Sequence, residues 1–264
     1  MYSRTQLFKK YIRFFLKAAN SKGHGVHSPF VFDFIKNVLN DKTNYPEYAL
    51  IERRRKQLLA DKRVVEIQDF GAGSLVTPTD KRTVSKIARF SLKSKKYAHL
   101  LFRMVRYYQP QNVVELGTSL GVSTAYLAAA TKNSVYSIEG APTIAKIASE
   151  TITQIGLTNV HLSTGNFDEQ LPFLLEKTDK IGFAFVDGNH RKVPTISYFQ
   201  QLMQQADNET ILVFDDIHWS VQMEEAWEFI KADDSVTLSI DLFFIGIILF
   251  RNEFKVKQHF NIRF

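Results

Sequence analysis

Between residues 112 and 214, short apolar runs alternate with helical stretches, and this alternation limits the possible folds more than any other feature. The runs occupy residues 112–116, 134–138, 159–163, 181–186 and 210–214. Alternating strands and helices form a parallel sheet with helices on both faces. Two further runs, 236–241 and 244–250, lie so close together that they predict an antiparallel hairpin. The sequence therefore predicts an α/β fold with a seven-stranded, mostly parallel sheet.

Charge and pattern divide the chain into two parts. Residues 1–106 hold 23 basic and 8 acidic side chains, a net charge of +15, whereas residues 107–264 have a net charge of −8. The first part is mainly helical in pattern, with helices expected over residues 29–39, 48–61 and 80–108 and a loop over residues 20–29. We therefore expect a basic helical extension over residues 1–95, which would cap the substrate site or mediate dimerisation, and the α/β domain over residues 96–264. Such an extension can face nucleic acid, an acidic ligand or a membrane surface, or dock on the acidic domain.

The N-terminal residues 2–19 predict an amphipathic helix. Its apolar positions recur at helical spacing between basic residues; they are Leu7, Phe8, Tyr11, Ile12, Phe15 and Leu16. We expect this helix to pack on its own protein or on a second copy in a homodimer, rather than on a membrane. The most apolar run, Leu242 to Phe250, is too short to span a bilayer, so we expect no stable membrane insertion.

Cysteine is absent from the chain, and this limits its chemistry. A disulfide scaffold, a thiolate zinc site and a cysteine nucleophile are all excluded. The N-terminus also lacks the pattern of a signal peptide. Both features fit a protein of the reducing cytoplasm, which is the location we expect.

The most informative segment is Val113-Val-Glu115-Leu-Gly117-Thr-Ser119-Leu-Gly121-Val-Ser123, which reads as strand, glycine turn and helix start. Glycine at 117 and 121 lets the backbone approach a ligand closely. The next strand ends at Glu139, where a carboxylate is well placed to accept hydrogen bonds from ribose hydroxyls. A dinucleotide site needs glycine where Ser119 stands, so a nicotinamide oxidoreductase is disfavoured.

The arrangement E-x-G-x-x-x-G with a downstream acid resembles the first two motifs of the class I S-adenosylmethionine (SAM)-dependent methyltransferases. The resemblance implies a Rossmann-like domain whose cofactor loop includes Glu115, Gly117, Thr118, Ser119, Gly121 and Ser123. Glu139 would bind the ribose, and Glu115 would orient the loop or meet the amino end of methionine. After the third strand, Asn166 or Asp168 would bind the adenine and Phe167 would cover its ring. Capping of a helix by Asn166 or Asp168 explains the same residues equally well.

A second glycine-rich segment, Asp69-Phe-Gly-Ala-Gly-Ser74, also has a methyltransferase-like pattern. It lacks the expected continuation, because no apolar helix follows at once and Arg89-Phe-Ser-Leu92 stands where a strand should end in an acid. We interpret this segment as an incidental match or as part of a cover over the substrate.

Acidic residues follow the fourth and fifth predicted strands, as Asp187 and as the pair Asp215-Asp216. In an open α/β sheet, ligands bind at the carboxyl ends of the strands. Three carboxylates converging there would repel one another unless a cation neutralised them, and Mg²⁺ prefers oxygen ligands. The sequence therefore predicts a magnesium site formed by these three residues.

These acids make residues 95–250 resemble the cation-dependent O-methyltransferases, which include catechol, caffeoyl-coenzyme A, sugar and macrolide types. Catechol-type members have a lysine base three residues after the strand-four acid, where this chain has His190. The resemblance implies that Asp187 serves the metal, the cofactor and catalysis, with His190 or His218 as the base. Either histidine can instead be a structural hydrogen-bonding residue. The prolines and aromatic residue typical of nitrogen methylation are absent after Asp187.

Taken with the resemblance, these features predict SAM-dependent O-methylation of a small-molecule hydroxyl, assisted by Mg²⁺. One alternative is an RNA methyltransferase that uses the basic N-terminal part, which includes Arg53-Arg-Arg-Lys56. Another is a non-catalytic SAM-binding or scaffold protein, which the joint presence of Glu139 and the three aspartates disfavours. The sequence does not identify the methyl acceptor.

Overall fold

The computed structural model of the chain describes residues 1–23, 27–66 and 81–264. Its helices are α1 (Arg4–Lys17), α2 (Pro29–Phe34), α3 (Glu47–Ala60), α4 (Val84–Ser91), α5 (Lys95–Tyr108), α6 (Val122–Ala129), α7 (Pro142–Ile155), α8 (Phe167–Leu175), α9 (Lys192–Met203) and α10 (Val221–Ala232). Its strands are β1 (Val64–Glu66), β2 (Lys81–Thr83), β3 (Val113–Leu116), β4 (Val135–Glu139), β5 (Val160–Thr164), β6 (Phe183–Val186), β7 (Ile211–Asp215), β8 (Leu238–Asp241), β9 (Ile245–Leu249) and β10 (Gln258–Asn261).

The chain forms two compact units, one of residues 42–178 and one of residues 1–41 with 179–264. Each unit combines strands with helices, so the predicted α/β class is confirmed. The grouping differs from the predicted division after residue 95, because α3, α4 and α5 belong to the same unit as β3, β4 and β5.

The unit of residues 42–178 is built on three parallel strands in the order β3-β4-β5. All four side chains of β3 are buried, as expected for a parallel strand covered on both faces. Helix α6 is buried at nearly every position, which explains why its sequence is apolar without a polar face. A separate antiparallel pair joins β1 to β2.

The unit of residues 1–41 and 179–264 has the strand order β10-β8-β9-β7-β6. Strands β6 and β7 are parallel, and β9 lies antiparallel between β7 and β8. The predicted antiparallel hairpin is therefore confirmed. Strand β10, which pairs parallel with β8, was not predicted. With it, the described residues contain eight strands apart from β1 and β2, where the sequence predicted seven.

Four local predictions need correction or lie, in whole or in part, outside the described residues. Residues 80–108, expected to be helical throughout, instead contain β2, α4 and α5 with a break between the helices. The helix expected over residues 29–39 ends as a π-helical turn at Ile35–Leu39. The segment Asp69 to Ser74 and residues 24–26 of the predicted loop lie outside the described residues.

Helix α1 packs on residues of its own unit. The ring of Tyr11 meets that of Phe243 edge to face at 5.1 Å, and the Phe14 ring lies 5.4 Å from Phe243. The hydroxyl of Tyr2 donates a hydrogen bond of 2.7 Å to Glu224. The predicted packing of this helix on its own protein is thus confirmed for one face. Within the described part of the chain, no helix is long and apolar enough to cross a membrane.

Candidate functional site

The glycine loop between β3 and α6 has the backbone that the sequence predicts. Gly117 and Gly121 have φ values of +103° and +79°, and Ser119 between them has φ +48°. Gly121 is buried, and a Cβ atom there would lie 3.1 Å from the backbone of Ala148 on α7. Glycine is therefore required at 121 both for its conformation and for the close packing of α7. The loop leads into the N-terminus of α6, whose amide groups favour an electron-rich ligand.

Glu139, at the end of β4, is fixed against this loop. Its carboxylate accepts hydrogen bonds from the backbone N–H of Ser119 at 2.7 Å and of Ala141 at 3.0 Å. The side chain is half-buried. The acid and the glycine turn, which are related in the sequence only by their spacing, are therefore in direct contact within one unit.

Glu115 lies beneath the loop rather than at its surface. It is fully buried and accepts hydrogen bonds from the hydroxyls of Thr124 at 2.5 Å and Ser137 at 2.6 Å. The hydroxyl of Thr118, also fully buried, lies 2.5 Å from that of Ser137. This geometry favours the loop-orienting role for Glu115. The supporting residues Thr124 and Ser137 were missed, since short polar residues next to apolar runs gave no distinct signal.

The residues after β5 show the helix cap that the sequence allowed. The side chain of Asn166 caps α8 by accepting a hydrogen bond of 3.2 Å from the backbone N–H of Asp168. Phe167 is half-buried at the first position of α8, and Asp168 is exposed. The adenine contacts of these residues stay a prediction.

The acidic residues of the other unit gather at the ends of β6 and β7. Ligand atoms of Asp187, His190 and Asp215 all lie within 4.8 Å of one another. Asp215 is 2% exposed, and Asp187 and His190 are half-buried, with Nε2 of His190 lying 3.7 Å from Oδ1 of Asp187. This cluster contains His190 where the sequence predicted Asp216. Two carboxylates and an imidazole form a donor set that fits a divalent cation.

Both turns that carry this cluster contain unusual backbone. Asn189, His190 and Asp216 have φ values of +64°, +21° and +53°. Residues other than glycine adopt such values at an energetic cost. The amide of Asn189 donates a hydrogen bond of 3.0 Å to the hydroxyl of Tyr198, which helps hold the first turn. Such positions are commonly found at functional sites. Together with Ser119, these residues put backbone strain both at the glycine loop and at the acidic cluster.

His218 is held between two carboxylates. Its Nε2 lies 2.8 Å from Asp241 and its Nδ1 lies 3.1 Å from Glu224. Burial opposes protonation of His218, but the hydrogen bonds that the imidazole donates to Asp241 and Glu224 outweigh burial and raise the pKa of His218. A protonated imidazole with both nitrogens in hydrogen bonds is poorly suited to accept a proton from a substrate. This geometry favours the structural role for His218.

The raised pKa of His218 gives a prediction for stability. The charged imidazole stabilises the folded state fully below its unfolded-state pKa of about 6.5. This stabilisation is lost as the pH rises through the raised pKa of the folded state. At pH 6, His218→Gln should lower the free energy of unfolding by about 2 kcal/mol, since hydrogen bonds to charged groups are lost. The deficit should shrink as the pH rises, which denaturant titrations from acid to mildly alkaline pH will measure. A deficit independent of pH would contradict the charged state.

A small cavity of about 60 Å³ lies beside this histidine within the same unit. It is lined by Leu7, Asp216, His218, Trp219, Phe243 and Phe244. Helix α1 thus contributes Leu7 to the surroundings of Asp216. The expectation that the N-terminal residues help to form the substrate pocket is consistent with this position.

Only half of the basic run Arg53 to Lys56 lies at the surface. Arg54 and Arg55 are only 7% and 6% exposed. The Nε of Arg54 donates to the hydroxyl of Thr151 at 3.1 Å, and an Nη of Arg55 donates to the backbone carbonyl of Lys93 at 2.8 Å. Half of the run therefore ties α3 to its own unit, which weakens the pattern that suggested RNA binding.

Comparison with known proteins connects these sites to a family. Residues 114–217 match a family model described as a methyltransferase domain. A catechol O-methyltransferase of Niastella koreensis is 34% identical over 113 residues, which are 41% of this chain. The match spans only 50% of that relative.

Solved structures show the same fold over most of the chain. The Podospora anserina methyltransferase PaMTH1, bound to SAH, aligns with a TM-score of 0.61 at 13% identity, covering 85% of this chain and 97% of its own. The O-methyltransferase of Bacillus cereus in complex with SAH aligns with a TM-score of 0.58 at 19% identity, covering 83% and 97%. Residues 114–217 are therefore similar to a methyltransferase domain, and the chain shares the α/β fold of these solved methyltransferase structures.

Proposed function

We propose that the chain is a SAM-dependent methyltransferase that transfers the methyl group to a hydroxyl oxygen of a small molecule. The observation that carries the proposal is the glycine loop with Glu139 hydrogen-bonded to Ser119 at its centre. A similar catechol O-methyltransferase and neighbours solved with SAH support it. The cytoplasmic location, the homodimer and a nucleic-acid partner stay predictions.

The glycine loop would bind the methionine part of SAM, and Glu139 would accept hydrogen bonds from the ribose. Gly117, Ser119 and Gly121 would offer backbone to the ligand, while Glu115 keeps the loop in position from below. Because the loop is already held by hydrogen bonds to β4, cofactor binding needs little ordering of the chain. Asn166 and Phe167 would lie along the adenine.

Asp187 and Asp215 would hold a divalent cation, with Asp216 directly after Asp215 in the chain. Their oxygens suit Mg²⁺ or Mn²⁺. When bound, such a cation lowers the pKa of a hydroxyl that coordinates it. Asp187 would also orient His190, which lies 3.7 Å away and would take the proton from the acceptor hydroxyl.

A transfer assay tests this function. The purified chain is incubated with SAM labelled on its methyl group and a panel of catechols, other phenols, sugars and macrolides, with Mg²⁺, with Mn²⁺ or with a chelator. We expect label in at least one hydroxyl compound, lower in the chelated sample and lost in Glu139→Gln. A parallel sample contains RNA instead of the panel. Label that appears only in this RNA, or in no acceptor although SAM binds, would contradict the proposal.

A further inference from the structure

Helix α1 has a second apolar face that points away from its unit. Its inner face, with Tyr11 and Phe14, packs on Phe243. The residues of the second face follow helical spacing and are strongly exposed: Phe8 63%, Ile12 40%, Phe15 41% and Leu16 72%. We call these four residues the outer stripe. Exposed apolar residues that are contiguous on one helix face mark an interaction site more often than scattered ones do.

The outer stripe is accompanied by positive charge without any acid. Arg4, Lys9, Arg13 and Lys17 are exposed on α1, and the guanidinium of Arg263 lies 4.6 Å from the ring of Phe15. The helix contains no acidic residue, and the first acid in the chain is Asp33. The remaining lysine, Lys10, is paired with Glu224 at 2.9 Å and belongs to the inner face.

We infer that α1 binds reversibly to a lipid surface that carries anionic headgroups. An apolar helix face inserts at the boundary of headgroups and acyl chains, while neighbouring Lys and Arg side chains reach the negative headgroups. The helix has the combination of aromatic and aliphatic residues with basic neighbours that such binding requires. The inference goes beyond the proposed function, since it concerns where the protein works and needs no bound SAM.

The helix is preformed, which favours this binding. A capping box of Ser3 and Gln6 closes its first turn. Contacts of Tyr2 and Lys10 with Glu224 hold the N-terminal half of the helix on its unit. Since the helix does not have to fold on the lipid surface, binding avoids the ordering cost that a disordered segment incurs.

Charge favours a lipid surface over a second copy of the chain. Two copies joined through the outer stripe would bring together two sets of basic side chains, with no acid on α1 to neutralise them. Nucleic acid would satisfy the charges but would leave Phe8 and Leu16 exposed to water. An anionic lipid surface satisfies both the charges and the apolar side chains.

The experiment is co-sedimentation of the full chain with vesicles of phosphatidylcholine alone or with added phosphatidylglycerol. Two α1 variants are compared, Phe8→Ser with Leu16→Ser, and Lys9→Gln with Arg13→Gln and Lys17→Gln. The matched control is Phe173→Ser with Val256→Ser. These two residues are 57% and 75% exposed, so the control removes apolar surface outside α1. Circular dichroism checks that each variant is folded.

We expect binding to the anionic vesicles, release by salt, and no effect of the control substitutions. Loss of three basic residues should lower the partition coefficient about a hundredfold. The serine variant of the outer stripe should bind at background level. Absence of wild-type binding, or full binding by the serine variant, would overturn the inference. The inference would also be overturned if the unmodified chain formed a dimer and the serine variant were a monomer, or if the chain bound RNA but not vesicles.

Discussion

Replacing Asp215 with Asn is expected to reduce kcat for methyl transfer at least about a hundredfold. Asp215 is almost fully buried and shares a cluster with Asp187 and His190. A neutral amide at this position would therefore weaken the binding of a cation to the cluster without changing the shape of the turn. SAM affinity should change little, because the glycine loop and Glu139 belong to the other unit. The measurement is kcat against the concentration of Mg²⁺ and of Mn²⁺, with SAM binding measured in parallel.

A suitable control for this substitution is Asp241→Asn. Asp241 is also buried in the same unit, but its partner is His218 rather than the cluster. We expect the control to lower stability and to keep most of the activity. An unchanged kcat in Asp215→Asn, or an equal loss in both variants, would show that the cluster has no special part in the reaction.

Replacing Gly121 with Ala should lower SAM affinity by tenfold or more and destabilise the unit of residues 42–178. The positive φ costs a non-glycine residue about 1–2 kcal/mol, and the new methyl group would lie 3.1 Å from the backbone of Ala148. Since backbone cannot rotate away as a side chain does, α6 or α7 must shift, and the glycine loop moves with α6. Denaturant unfolding and calorimetric SAM titration measure the two effects.

Gly156→Ala separates strain from steric contact in this prediction. Gly156 has nearly the same φ, +82°, but a Cβ atom there would meet nothing within 4 Å. It ends α7 in the same unit. We therefore expect the control to show only the backbone cost and to bind SAM normally. Equal effects of the two substitutions on SAM binding would contradict the close packing at Gly121.

The sequence predicted the features that depend on short segments. The glycine loop, Glu139 and the acids of β6 and β7 each lie at the end of a strand or directly after it, and a strand end determines where the neighbouring side chains lie. Strand β10 escaped prediction because its four residues alternate in burial and three of them are polar. A short strand of this kind is formed by pairing with β8 rather than by its own propensity.

Roles that depend on distant partners were beyond sequence reasoning. His190 and His218 were equal candidates for the base, and only the tertiary partners Asp241 and Glu224 distinguish His218. Arg54 and Arg55 belonged to a basic run, yet both are buried, because their partners come from elsewhere in the folded unit. Likewise, the outer stripe could not be separated from the inner face of α1 until its packing was known.

Calorimetric titration of the purified chain with SAM, with and without Mg²⁺ and beside Glu139→Gln, tests the central claim most directly. We predict saturable one-to-one binding by the unmodified chain. Glu139→Gln should bind about ten to a hundred times more weakly, because hydrogen bonds to a charged acceptor are lost. Absence of binding heat from the folded, unmodified chain, or equal affinity in Glu139→Gln, would contradict the assignment of the glycine loop and Glu139 as the cofactor site.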